Sequence, residues 1–356
     1  MLPCFLELVS CGLAGTRPEA DHFRDLAAAE WEAIYTLALR QTVCGICYDA
    51  LCRLPDALLP PAPLLARWAA RVGAVEAANR RMRLALSELV AALRERGLHP
   101  VVQKGLSVAR YYPEPDLREC GDIDLCLPAA EIPAAVDFAR SLGQSVEIHA
   151  DGSRSFAFRG FLVELHSRLI GLSAPGARRR LAAIVDRHAA DPRLSADLPS
   201  PAPLVELLLL DVHIMRHAFG TGIGLRQICD YVRAADRLRG HYDPAEFARA
   251  CADLGIARWT ALLHAFAVRH LGASPEALLP SGYKSDRNLP VSTLMDIIIT
   301  GGNFGRHPGA AAAPVRGSKL HTLAMLLRRG RFALSLAPAE AAWNVLRLAA
   351  GQLKGL

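Results

Sequence analysis

Apolar positions recur with a helical period over the first 97 residues. The stretches AEWEAIYTLALRQTVCGICYDAL and LLARWAARVGAVEAANRRMRLALSELVAALRERG repeat them every three or four positions, a spacing that places them on one helix face. The proline-rich LPPAPLL at 59–65 separates the two stretches, because proline disfavours a helix interior. Residues 1–97 are therefore predicted to form an N-terminal helical region.

The period changes in the segment 98–175. HPVVQ and DIDLCL have the pattern of short strands, and alternating residues over 145–166 predict a three-stranded antiparallel meander. Its Asp-Gly at 151–152 is typical of a type I′ hairpin, and the Arg-Gly at 159–160 indicates a second tight turn. Short helical stretches lie between these strands. The segment is predicted to be a small α+β domain with a mixed sheet.

Residues 176–356 return to the helical period. PLVELLLLDVHIMRHAF, LRQICDYVRAADRLRG and ARWTALLHAFAVRHLG are examples, and the final stretch, 316–356, is basic and amphipathic. A packed face and contact with a membrane surface both remain open for that stretch. The whole chain is predicted to have an α+β fold, in which the mixed-sheet segment is flanked by N- and C-terminal helical regions.

Composition indicates a globular protein with anionic substrates. Hydrophobic residues make up 52% and charged residues 21% of the chain, so there is ample material for a core. The formal charge of +6 favours nucleotides or phosphates as ligands. A nucleic-acid partner is not expected, because the charge is modest and arginines do not alternate with aromatic residues.

Cysteine usage and the N-terminus predict a cytoplasmic location. The nine cysteines are scattered as free thiols would be. MLPCFLELVSCGLAG lacks the basic start of a signal peptide and contains Glu7. The apolar run LVELLLL is too short to span a bilayer, so no transmembrane segment is predicted. The CxxC of Cys44 and Cys47 lies in an apolar helical stretch, where core packing is the simpler interpretation.

Two aspartates stand in the apolar strand DIDLCL. Because side chains two residues apart on a strand share a face, Asp122 and Asp124 direct two carboxylates to one side. Such a pair shares a proton, binds a hard cation or repels. Glu164 and His166 in VELH share a face of a later strand in the same way. Solvent-facing strand positions are the alternative interpretation of both pairs.

A phosphate-holding turn precedes the aspartates. VVQKGLSVARYY is a strand that runs into Gly105 and then into a helix. Glycine at such a turn lets backbone N–H groups approach a phosphate, while Ser107 offers a hydroxyl donor and Lys104 a positive charge. The spacing of a P-loop is absent.

Together these segments resemble the DNA polymerase β-like nucleotidyltransferase superfamily. More narrowly, Lys-Gly at 104–105 followed by YYPEPDLRECGDIDL is similar to bacterial nucleotidyltransferase family proteins with a KG…YP…LR…GDIDL signature. HIMRHAFGTGIGLRQICDYV at 213–232 is similar to a helical segment of that family, and NFG at 303–305 resembles its C-terminal glycine-rich turn.

The resemblance implies a magnesium-dependent nucleotidyl transfer. Asp122 and Asp124 would bridge two Mg²⁺ ions, and Glu164 would hold one of them and activate an acceptor hydroxyl. The predicted nucleotide-binding residues are Lys104, Gly105, Ser107 and Arg118. The substrate would be a nucleoside triphosphate, with ATP as the default.

The acceptor is unknown. It would be the hydroxyl or phosphate of a small molecule, a peptide or a protein, in a biosynthetic tailoring pathway. The alternative is a non-catalytic nucleotide-binding or antitoxin-like regulatory protein with the same fold.

Five further residues are candidates for the acceptor site or the cleft. His166 shares the strand face of Glu164. His213 and His217 are four residues apart on a helix, a spacing that also suits zinc, although no third ligand is evident. Arg226 and Asp230 have the same spacing, and an ion pair between them is the simplest interpretation.

Overall fold

The computed structural model describes residues 1–149, 151–169, 171–189, 198–220, 222–278, 288–301 and 329–353. The NFG at 303–305 lies outside the described residues, as does part of the basic stretch 316–356. The structure confirms the predicted α+β class, because one five-stranded sheet is packed among many helices. In the described part of the chain, every helix is too short or too polar to cross a membrane.

Four helices precede the sheet. They are α1 (Leu2–Ala14), α2 (Ala28–Arg40), α3 (Cys44–Leu51) and α4 (Ala62–Arg94). The prolines of LPPAPLL lie before α4 and in its first turn, where the missing N–H has no intrahelical acceptor. From there α4 continues without a break for 33 residues.

The sheet and its two helices follow. In chain order they are β1 (Val101–Gln103), α5 (Gly105–Ala109), β2 (Ile123–Cys126), α6 (Ile132–Ser141), β3 (Glu147–Ile148), β4 (Arg154–Phe158) and β5 (Phe161–His166). The C-terminal part is helical: α7 (Pro175–His188), α8 (Pro203–Phe219), α9 (Leu225–Arg237), α10 (Pro244–Asp253), α11 (Ala257–Leu271), α12 (Pro275–Leu278), α13 (Val291–Gly301) and α14 (Pro338–Leu353). Residues 329–336 are also helical.

The sheet is mixed, as the sequence predicts. Its order is β1-β2-β5-β4-β3, and only β2 and β5 run parallel. Strands β3, β4 and β5 form the predicted antiparallel meander. The parallel pair at the centre brings DIDLC and VELH side by side.

The first of the two meander turns differs from the predicted type, and the second is the tight turn that the sequence predicts. At the first turn the Gly152 N–H donates to the His149 carbonyl at 2.9 Å, so Asp151 and Gly152 are not the two central residues of a type I′ turn. Instead the Asp151 carboxylate accepts hydrogen bonds from the backbone N–H and the hydroxyl of Ser153. At the second turn Arg159 and Gly160 both have positive φ (51° and 84°), which is the type I′ pattern.

Two hydrophobic clusters form the core, and α4 belongs to both. Its first half contributes Leu64, Trp68 and Val72 to the cluster of the helical regions. Its second half, from Met82 to Leu93, packs against the apolar face of the sheet and against α6. The helical N-terminal region and the sheet are therefore joined by a continuous helix.

The CxxC of α3 is a packing feature. Cys44 and Cys47 are buried, and burial raises the pKa of the Cys44 thiol to about 12, so neither thiol is prepared to ionise. Between them, Gly45 lies against the backbone of Leu117, where an added Cβ would be 2.3 Å from the carbonyl oxygen. Leu117 belongs to the loop that leads to β2. Glycine is therefore required at position 45 for close helix–loop contact.

We expect Gly45→Ala to lower the free energy of unfolding by roughly 1–3 kcal/mol, because the new methyl group must displace backbone. Gly73→Ala is the matched control: Gly73 is an exposed position of α4 with no atom within 4 Å of an added Cβ. That change should raise stability by about 0.5–1 kcal/mol. Chemical denaturation measures both, and equal stability of the two variants would contradict this packing.

A buried carboxylate ties α8 to α11. Asp211 is fully buried, and it accepts hydrogen bonds from Trp259 Nε1 and the Thr260 hydroxyl, each at 2.6 Å. Among the described groups, no cation contributes to the pKa of Asp211, so its negative charge has no cationic partner there. Burial raises the pKa of Asp211 to about 7.

The stability of the protein should therefore fall between about pH 4 and pH 7. An unfolded aspartate has a pKa of about 3.9, so in this range the folded state binds the extra proton and loses up to about 1.4 kcal/mol per pH unit as pH rises. Asp211→Asn removes this dependence. Denaturation of both proteins across this range tests it: parallel pH profiles would show that Asp211 does not titrate this way.

Candidate active site

One face of the sheet carries a polar row that crosses all five strands. Strand register places side by side Gln103, Asp124, Glu164, Ser155 and Glu147. The opposite face of β2 and β5 is apolar and buried against α4 and α6. The alternation in DIDLC and VELH therefore separates a hydrophobic face from a face with two adjacent carboxylates.

Asp124 is at the centre of this row. It is only 7% exposed, and its Oδ1 lies 3.3 Å from Lys104 Nζ and 2.8 Å from His166 Nε2. Burial alone would raise the pKa of Asp124, but Lys104 and His166 hold it below its usual value. Asp124 is therefore a carboxylate that stays ionised inside the protein.

The other two predicted acids have the opposite tendency. Burial, and then the charge of Asp124, raises the pKa of Asp122. Burial and the charges of both aspartates raise the pKa of Glu164. The two groups bind protons more readily than isolated carboxylates do, as expected where several acids face one space.

Three of the site residues can ligate a single ion. Ligand atoms of Asp124, Glu164 and His166 all lie within 4.8 Å of one another. Asp122 is near enough to affect them electrostatically, but it is not a member of this group. Within the described ranges this is the one such cluster, and it includes neither His213 nor His217.

Lys104 reaches Asp124 from a strained turn. Its φ of 55° with ψ of −154° is unusual for a residue with a side chain, and such conformations cost roughly 1–3 kcal/mol. Gly105 follows with φ of +39°, and an added Cβ would lie 3.4 Å from the Asp122 carbonyl oxygen. The Lys-Gly turn thus sits directly against the aspartate strand.

Ser107 forms its hydrogen bond with a residue of α8. It is fully buried, and its hydroxyl donates to Glu206 Oε1 at 3.0 Å. The same carboxylate accepts from Tyr111 (2.5 Å) and Arg110 (3.1 Å). The observed role of Ser107 is to anchor α5 to α8.

The loop before β2 is fixed by a buried asparagine of α4. Asn79 Nδ2 donates to the carbonyls of Asp116 (2.7 Å) and Arg118 (2.8 Å), and its Oδ1 accepts from the N–H of Cys120 at 3.3 Å. One side chain thereby satisfies three backbone groups just ahead of Asp122.

Arg118 is held by Asp230 and not by solvent. Its Nε donates to Asp230 Oδ1 at 3.0 Å, and the side chain is 5% exposed. Tyr112 donates to the same Oδ1 at 2.7 Å. The predicted ion pair between Asp230 and Arg226 is therefore wrong, since Asp230 is already occupied by a residue 112 positions away.

We expect Arg118→Met to destabilise the protein by about 3–5 kcal/mol, because it leaves Asp230 charged, buried and without its cation. The double variant Arg118→Met, Asp230→Leu should be less destabilised than the two single changes combined. Urea denaturation measures the cycle. If Arg118 were a nucleotide ligand instead, Arg118→Lys would weaken nucleotide binding without altering the free energy of unfolding.

The remaining candidates line the helical side of the site. Arg226 is buried and donates to the Glu119 carbonyl beside Asp122. The rings of His213 and His217 are 4.5 Å apart on α8. Burial lowers the pKa of His217 to about 4 and that of His213 well below its usual value, and the charge of Lys104 acts in the same direction on both.

The structure thus gathers most of the predicted residues. Asp122, Asp124, Glu164, His166 and Lys104 meet on one sheet face, while Ser107, Arg118 and Asp230 belong to its buried support. Sequence reasoning missed Asn79 and Glu206. A polar residue in an otherwise regular apolar face, such as the Glu of LVELLLL, was the available signal for both.

Comparison with known families agrees with this geometry. The family model described as an uncharacterised nucleotidyltransferase matches residues 27–272, more than half of the chain. The chain therefore belongs to this nucleotidyltransferase family, and its class is that of a transferase. No curated protein and no solved structure matches it. The matched range contains the whole sheet and ends before α12, α13 and α14.

Proposed function

We propose that the protein transfers a nucleoside monophosphate from a nucleoside triphosphate to a hydroxyl or phosphate acceptor, with magnesium. The pairing of Asp124 with Glu164 across β2 and β5, beside His166, carries this proposal. ATP is the default nucleotide. The acceptor would be a small molecule, a peptide or a protein, in a tailoring step of a biosynthetic pathway.

The donor set fits divalent metal ions. Two carboxylates and an imidazole face one space, with a third carboxylate from Asp122 next to it. In the same row the buried Gln103 Oε1 has no hydrogen-bond partner among the described residues. Carboxylate and amide oxygens are the ligands that Mg²⁺ prefers. Two bound ions would neutralise phosphate charge and make an acceptor hydroxyl more acidic.

The chain's own groups have separate tasks. Lys104 keeps Asp124 ionised and adds positive charge next to the phosphates. Glu164 is the suitable proton acceptor, because its pKa is raised and it is half-buried. His166 orients both carboxylates, with its Nε2 2.8 Å from Asp124 and 3.6 Å from Glu164.

The reaction is a substitution at the α-phosphorus. The acceptor oxygen forms a bond to this phosphorus, and the bond to the bridging oxygen of the β-phosphate breaks. Pyrophosphate leaves with the electron pair, and the acceptor proton passes to Glu164. The negative charge on the phosphate oxygens increases along this path, so cations around the site are needed to offset it.

Asp124→Asn and Glu164→Gln should each reduce transfer at least about 100-fold, because each removes a charge from the reacting centre while keeping its shape. Glu147→Gln is the matched control, since it lies in the same row at the exposed edge of the sheet. Incorporation of label from α-³²P-labelled nucleoside triphosphates, with Mg²⁺ or with a chelator, measures the effect.

Circular dichroism should show an unchanged fold in all three variants. Full turnover by Asp124→Asn would refute the assignment. Nucleotide binding by the wild type without transfer to any acceptor would instead favour the non-catalytic, regulatory alternative.

A further inference from the structure

Three cationic side chains act on His213 of α8, beside the carboxylates of the sheet. His213, Arg216 and His217 occupy positions i, i+3 and i+4 of α8 and share one side of that helix. The charges of Lys104, Arg216 and Arg226 all act on His213, and each lowers its pKa. These three cations come from three separate elements, and they converge on the same histidine.

Two of the three cations form no close ion pair with an acid of the described residues, although the charges of Glu340 and Asp151 act on Arg216 and those of Asp230 and Glu119 on Arg226. Lys104 is paired with Asp124 at 3.3 Å. Among the described residues, the guanidinium of Arg216 makes no ion pair or hydrogen bond. In the part of the chain that the structure describes, Arg226 donates to the carbonyl of Glu119, and its buried Nε has no hydrogen-bond partner there.

The acids nearest to Arg216 are already used. Glu340 of α14 is 4% exposed and accepts hydrogen bonds from the backbone N–H groups of Ser173 and Ala174 at 2.7–2.9 Å. Asp151 accepts from Ser153 in its own turn. Partial burial of Arg216 and the charge of Arg347 on α14 lower the pKa of Arg216, while the charges of Glu340 and Asp151 act in the opposite direction.

The Lys-Gly turn alone does not provide enough donors for a triphosphate. The Ser107 hydroxyl is directed to Glu206, and α5 has only five residues. Arginine, by contrast, offers paired N–H groups that match phosphate oxygens. The guanidinium of Arg216 lies close to the backbone of Gly171, five residues after His166, since a Cβ added to Gly171 would be 3.3 Å from its Nη1.

We propose that Arg216 and Arg226, together with Lys104, form the polyphosphate subsite of the nucleotide. The assignment of the anion as the tail of a nucleoside triphosphate rests on the proposed function. It places the β- and γ-phosphates against α8 and the start of α9, and leaves the α-phosphate above Asp124 and Glu164.

Binding of three probes tests the subsite without any need for turnover. Isothermal titration calorimetry with Mg²⁺ compares inorganic tripolyphosphate, ATP and adenosine on the wild type, Arg216→Gln and Arg226→Gln. Each variant should bind tripolyphosphate and ATP roughly tenfold more weakly or worse, with adenosine unchanged. Arg17→Gln, which removes an exposed arginine outside the subsite, should stay within about twofold of wild type.

The outcomes separate this inference from the proposed function. Unchanged ATP and tripolyphosphate affinity in both variants would overturn the subsite, even if the wild type transfers label. Arginine-dependent tripolyphosphate binding without any transfer would support the subsite and refute the proposed reaction. A wild type that binds neither phosphate compound would overturn both.

Thermal unfolding of Arg226→Gln, compared with that of the wild type, tests whether the variant is folded. If that variant does not fold, Arg216→Gln decides alone, because Arg216 is at the surface. Arg216→Lys should restore part of the affinity, since it keeps the charge but not the paired donors. The affinity of the wild type for tripolyphosphate should also fall with salt more steeply than that of Arg216→Gln.

Discussion

The buried negative charge of Asp124 is the interaction on which the site depends. Burying an unpaired carboxylate costs more free energy than the whole fold typically contributes to stability. It must therefore be paired with cations and hydrogen-bond donors. Here the match is made by Lys104 from a strained turn before α5 and by His166 from the neighbouring parallel strand. Strand register, turn conformation and ionisation state are thereby coupled, and none of them can change alone.

The helical regions are part of this site and do not merely surround it. The loop before β2 is held by Asn79 of α4 and, through Arg118, by Asp230 of α9. The turn before α5 is held through Ser107 by Glu206 of α8. Each contact is buried, so the positions of Asp122 and Lys104 relative to each other are set by three helices outside the sheet. Rigid support of this kind is what catalytic geometry requires.

Features that depend on neighbours in sequence could be predicted, and features that depend on distant partners could not. The alternation of DIDLC and VELH is a local pattern, and it correctly placed Asp124, Glu164 and His166 on one face. The partner of Arg118 lies 112 residues away, so spacing alone suggested the wrong pair for Asp230. The predicted type of the first meander turn was also wrong, and there the Asp151 carboxylate accepts hydrogen bonds from the backbone N–H and the hydroxyl of Ser153.

The 33 residues of α4 give the molecule a property that no single site shows. A helix of this length extends about 50 Å, and its two halves are embedded in different hydrophobic clusters. Melting of either cluster would expose one end of a helix whose other end is still packed, so the two clusters should lose structure together. The sheet is therefore not expected to fold without α4. A shortened protein that began at β1 would lack the helix that packs against its apolar face.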